Sequence, residues 1–145
     1  MRPLPGSKQL GITGNWMSSN GVSRYRAILE GGYYISESLI GIVRFGITKQ
    51  SPEERQYAFG ARYEFKSHGN SVPYLLGLVE FHDGDRPQTA AISSNPKATL
   101  FQGGVGINYF LNPRAAAFIE IVGFKESGVS DIGTDVLIGL RMFFK

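Results

Sequence analysis

From Gln56 to Lys66 the chain alternates without a break. Tyr57, Phe59, Ala61, Tyr63 and Phe65 fall on one face, and Gln56, Ala58, Gly60, Arg62, Glu64 and Lys66 on the other. A period of two residues is that of an extended strand, whose successive side chains point to opposite sides. The same period recurs in Lys8–Ser18, Arg24–Ile35, Leu39–Thr48, Val72–His82, Thr99–Leu111, Ala115–Lys125 and Gly133–Phe144. No helical pattern intervenes, so neighbouring strands must pair antiparallel through hairpins. Tight turns at Ser36–Ser38, Ser67–Asn70 and Asn112–Arg114 alternate with longer connections at Lys49–Glu54, Asp83–Ala98 and Glu126–Ile132, and a short one at Ser19–Gly21. This layout predicts an all-β, eight-stranded antiparallel up-and-down barrel with one plain rim and one decorated rim. Residues 1–7 read as an N-terminal tail and 8–145 as a single barrel domain.

Alternation does not say which face lies inside. A soluble barrel hides its apolar face, whereas a membrane barrel turns it to lipid. The polar faces carry Arg26, Arg44, Arg62 and Arg141 against Glu30, Glu64, Glu80 and Glu120, and no mid-strand Lys. Equal numbers of each sign suit a closed lumen, because an unpaired buried charge costs several kcal/mol, and Arg is the better buried partner. These faces are also rich in Gly and small residues, as a narrow interior requires. The apolar faces carry aromatic residues toward their ends: Trp16, Tyr33, Tyr57, Tyr63, Phe65, Phe81, Tyr109 and Phe144. Rings so placed match the girdles that sit at lipid headgroups. The expectation is a transmembrane β-barrel with those eight residues facing lipid and the eight Arg and Glu residues forming a lumen ion-pair network.

Composition narrows the alternatives. The 145 residues include no Cys, which excludes disulfides and thiolate metal sites. The net charge of +3 is spread along the chain without a basic run, so nucleic acid is not an expected partner. The longest uncharged stretch, Ala98–Pro113, is interrupted by Gln102, Asn108 and several Gly, which excludes a membrane-spanning helix. No apolar run follows the first seven residues, so a signal peptide is not expected in this chain, which leaves a cytosolic protein or a mature form.

The phrases Gly31–Leu39, Phe59–Phe65, Gly103–Leu111 and Gly139–Phe144 resemble those of small bacterial outer-membrane β-barrels of the OmpA/OmpX-like superfamily. The resemblance implies an outer-membrane location in a Gram-negative envelope, and its terminal aromatic strand is similar to that family's insertion signal, here followed by Lys145. The layout from Phe59 onward is also similar to PagL-type lipid A deacylases, which carry a His-x-Ser-Asn motif on the penultimate strand. The corresponding Phe118–Ser127 stretch contains no His, so the motif is absent and no catalytic residue is assigned. His68 falls in a tight turn. His82, Asp83 and Asp85 cluster at the decorated rim without the further positions of a calcium loop; neither metal nor cofactor is expected. His82, Asp83, Asp85, Arg86 and Lys97, with Gln88 and Asn95, are candidate loop contacts to lipopolysaccharide or to a protein partner. The expected function is therefore a structural or adhesive role through the long loops above a closed polar lumen. Alternatives from other classes are a lipid A-modifying enzyme, a small-solute or ion channel, and a soluble lipocalin-like binding barrel.

Overall fold

The computed structural model describes residues 3–19, 22–48, 54–83, 99–126 and 132–145; side chains at 15–19, 22–25, 48, 54, 82–83 and 126 lie outside that description. Eight strands follow in chain order: β1 (Lys8–Ser19), β2 (Val22–Tyr34), β3 (Leu39–Thr48), β4 (Glu54–Glu64), β5 (Ser71–Asp83), β6 (Thr99–Asn112), β7 (Ala115–Glu126) and β8 (Ile132–Phe144). Each pairs antiparallel with its sequence neighbours, and β8 pairs with β1, closing the barrel. Closure leaves no free sheet edge, so every strand has a hydrogen-bonding neighbour on both sides.

Local chemistry fixes the plain rim. In the β2–β3 turn the Ser36 Oγ accepts from the Leu39 N–H at 3.1 Å. In the β4–β5 turn His68 and Ser71 pair across Gly69-Asn70, with Gly69 at φ 61°, a conformation that favours glycine. Between β6 and β7 the Asn112 Oδ1 accepts from the Arg114 N–H at 2.8 Å. Strand β4 stops at Glu64, two residues short of the alternating pattern. The next residue, Phe65, donates its N–H to the Pro73 carbonyl at 2.9 Å, but Pro73 has no N–H to return, so the ladder cannot continue. Residues 3–7 are tied to the same rim: the Gly6 N–H donates to the Tyr34 carbonyl at 2.8 Å, and the Tyr34 N–H to the Ser7 carbonyl at 2.9 Å.

The burial pattern inverts that of a water-soluble protein. Phe59 is 53% exposed and Tyr63 50%, while Arg62 and Glu64 between and beside them are 0% exposed. The same inversion holds around the wall, where Ile12, Val43, Val105, Ile121, Ile138 and Leu140 all face outward. An apolar band of this extent cannot be solvated by water without a large free-energy cost, at roughly 25 cal/mol per Å2; hydrocarbon is the solvent it matches. No described helix is long and apolar enough to cross a membrane. The wall itself is the spanning element.

Candidate functional site

The lumen is built in layers, and the alternation of each strand supplies one or two side chains to each. At the centre lies Glu30, placed opposite Arg44 by the β2–β3 register. Its carboxylate accepts from Arg141 Nε at 2.8 Å, Arg44 Nε at 2.7 Å and Arg62 Nη1 at 3.2 Å, and also from Gln9. Arg44 turns its fork to Glu120, with Nη1–Oε1 at 2.7 Å and Nη2–Oε2 at 2.9 Å. This bidentate geometry is the strongest a guanidinium and a carboxylate can form. Arg141 also donates to Tyr74 Oη at 3.1 Å and to Asn108, and its guanidinium carbon lies 3.6 Å from the centre of the Phe118 ring. Tyr74 in turn donates to Glu120 Oε2 at 2.7 Å.

Two flanking groups complete the set. Toward the plain rim, Glu64 meets Arg62 Nη2, Tyr34 Oη and Asn108 Nδ2, each at 3.1 Å. Below it Tyr34, Ile40, Val72, Phe110, Ala116 and Phe143 close the lumen, with the Phe110 and Phe143 rings stacked at 5.2 Å. Toward the long-loop rim, Arg26 donates to Gln56 Oε1 at 3.1 Å, Glu80 Oε1 at 3.3 Å and Asp135 Oδ2 at 3.2 Å. The void beside Arg26 and Glu80 holds about 10 Å3, room for a single water.

The structure therefore places Arg26, Glu30, Arg44, Arg62, Glu64, Glu80, Glu120 and Arg141 together in the lumen, all buried. Parity alone puts Asp135, Gln9, Gln56, Asn108, Tyr34 and Tyr74 on the polar faces, but the expected network left them out; all six bond to the same charges. Asp135 is the consequential omission, because with it the described lumen holds five carboxylates against four guanidinium groups. Its signal was available: it shares the inward parity of Leu137 and Arg141 on β8.

The interior also carries more bulk than its small residues suggest. Aromatic side chains fit because glycines face them. A Cβ at Gly106 would lie 2.5 Å from Tyr74 Oη and 2.8 Å from the Ile119 carbonyl, and one at Gly139 would lie 2.8 Å from the Phe118 ring. Outward-facing Gly77, by contrast, has nothing within 4 Å of that position. Gly106→Ala is thus expected to push Tyr74 off Glu120 and to cost about 1–3 kcal/mol in equilibrium unfolding, whereas Gly77→Ala should stay within about 0.5 kcal/mol. Equal effects would show that Tyr74 and Gly106 are not packed as described.

Outside the lumen, Tyr33, Tyr63, Phe65, Tyr109 and Phe144 face outward near the plain rim, and Tyr57 and Phe81 toward the other. The Trp16 side chain lies outside the described residues. So do the side chains of His82 and Asp83, whose backbones end β5, and the whole of Asp85, Arg86, Gln88, Asn95 and Lys97. His68 is exposed in its turn, Nδ1 lying 3.2 Å from the Lys66 carbonyl. Among the described residues, no group of three or more metal-ligating side chains converges.

No family model matches the chain, and no curated protein is similar to it in sequence. Solved structures do match. The N-terminal β-barrel domain of Pseudomonas aeruginosa OprF superimposes with a TM-score of 0.77 at 14% identity, covering 97% of this chain and 98% of that one. Neisserial surface protein A gives 0.64 at 16% identity, with 96% of each chain covered. A de novo designed transmembrane β-barrel gives 0.71 at 16% identity, with 99% of each chain covered. At such identities the likeness concerns the backbone. Its inverted burial, charge-packed interior and closed register give this chain the OmpA-like fold, an eight-stranded antiparallel transmembrane β-barrel.

Proposed function

We propose that the chain is an integral protein of a bacterial outer membrane, acting as a non-enzymatic scaffold that presents its long connections for adhesion or interaction. The observation that carries this reading is the pairing of an apolar outward band around the described wall with an interior whose charges are engaged with one another. Closed barrels of this kind are the β-structures that satisfy every backbone group within lipid. The lumen offers little room for a substrate, since its carboxylates are committed to guanidinium groups and the plain rim is closed by stacked rings. Glu120, the inward carboxylate of the penultimate strand, is held by Arg44 and Tyr74 rather than oriented toward a nucleophile. Contacts are left to the connections, with residues 84–98 the longest and Arg86 and Lys97 within it suited to lipopolysaccharide phosphates.

Three measurements test the two halves of this reading. Expressed with an export signal in a Gram-negative host, the chain should stay with the outer-membrane fraction through a urea wash. It should also migrate differently in boiled and unboiled gel lanes. A protein that remains soluble without detergent defeats the membrane half. Purified barrel should bind immobilised lipopolysaccharide, more weakly after Arg86→Ser with Lys97→Ser; binding that ignores both substitutions removes the loop assignment.

A further inference from the structure

At the plain rim, residues 3–7, the β6–β7 turn and the end of β8 enclose an open cleft of about 730 Å3. Its walls divide by chemistry. Leu4, Met142 and Phe144 supply an apolar side continuous with the lipid-facing wall, while Arg114 and Lys145 supply cationic side chains, and among the described residues no Asp or Glu side chain lines it. Neither cation takes part in an ion pair among the described residues. The surrounding rim has the same sign: among the described residues Lys8 and Lys66 are exposed there, against Glu37. Lys8 lies beside Phe144 in the β1–β8 register. The height is that of headgroups, since Tyr33, Tyr109 and Phe144 form the outward aromatic belt at this level. In barrels of this kind the short turns face the periplasm, so this rim meets the phospholipid leaflet rather than the lipopolysaccharide leaflet.

We infer that this cleft is a binding site for an anionic glycerophospholipid, its phosphate held by Arg114 and Lys145 and its acyl chains descending along Met142 and Phe144. An amphiphile answers both walls at once. A free anion would leave Leu4, Met142 and Phe144 uncovered, and a neutral lipid would leave two cations unpaired at a surface where each attracts negative headgroups. The inference rests on the membrane reading above and adds a selectivity which that reading does not require.

The test is native mass spectrometry of the full chain released from zwitterionic micelles, with phosphatidylglycerol and phosphatidylcholine titrated in competition. Phosphatidylglycerol should be retained on the order of tenfold more strongly, and the preference should fall to about twofold or less in Arg114→Ser/Lys145→Ser. Lys66→Ser, on the same rim but outside the cleft, should keep it. Equal retention of the two lipids by the unaltered chain overturns the site, as does a preference surviving the double substitution. An equal loss in Lys66→Ser overturns it too, showing diffuse rim charge instead. The boiled and unboiled gel shift reports whether each variant folds; if the double variant loses it, Arg114→Gln and Lys145→Ser are read singly against the same criteria. A chain that never enters vesicles fails the membrane reading. One that inserts without lipid preference fails only the site.

Discussion

Replacing Arg141 by Met is expected to cost about 3–5 kcal/mol of barrel stability, the penalty for stranding buried charge. Arg141 is fully buried and bonds to Glu30 at 2.8 Å, to Glu120 at 3.4 Å, and to Tyr74 and Asn108. Its removal leaves Glu30 with two guanidinium partners, Arg44 and Arg62, and Glu120 with one, Arg44, beside the Tyr74 hydroxyl. The lumen already holds one more carboxylate than guanidinium among its described residues, so the loss widens an existing excess. The side-chain volume is nearly retained by Met, which keeps the cavity contribution small against the electrostatic one. Urea unfolding in phospholipid vesicles, followed by the chain's single tryptophan, gives the value from the shift in midpoint at constant slope. Glu30→Gln should also destabilise, and the double variant should cost less than the sum of the two by about 0.5–3 kcal/mol, because the pair shares one interaction. Strict additivity would mean that Arg141 and Glu30 act independently, contrary to the geometry described.

The second large effect is on the outer wall. Val105 lies midway along β6, 52% exposed, with Leu75 and Ile121 as its cross-strand neighbours. Val105→Arg is expected to cost about 2–4 kcal/mol in a bilayer, where the midplane excludes a guanidinium. In water the same substitution at so exposed a position would stay within about 0.5 kcal/mol. Val105→Leu keeps the apolar character and should be close to neutral. Read by the same unfolding experiment, a cost for Arg below about 1 kcal/mol would falsify the lipid-facing assignment of this wall.

Much of this architecture was legible in the chain because a strand's period is two. Parity alone separates Tyr57, Phe59 and Tyr63 from Gln56, Ala58 and Arg62, and the two sets face opposite sides of the wall. Parity does not say where a strand loses its partner. The pattern runs on to Lys66, yet β4 stops at Glu64, because the residue facing Phe65 is a proline that donates nothing. The site was legible as an inventory and not as a set of bonds. Glu30 and Arg141 stand 111 positions apart, and Arg26 and Asp135 109 apart. Only the register of strands and the closure of β8 on β1 bring such pairs across the lumen. The neutral partners Gln9, Asn108 and Tyr74 lie on the polar faces by parity, yet their bonds to the charges were not legible for the same reason, since polar residues of ordinary type become informative only when their neighbours are known.

What the sequence determined by itself was the topology and the inversion. Unbroken alternation with hairpin connections admits an antiparallel barrel, and Arg and Glu without mid-strand Lys on the polar face send that face inward, away from water. The tertiary structure decided which charges meet. Strand register set Glu30 among three guanidinium groups, and glycines at 106 and 139 made room for Tyr74 and Phe118. It also gathered Arg114 and Lys145 over an apolar cleft at the plain rim. The physical reason is the same throughout: a face is a property of one strand and survives in its local pattern, whereas a contact across a lumen or around a rim belongs to several strands at once.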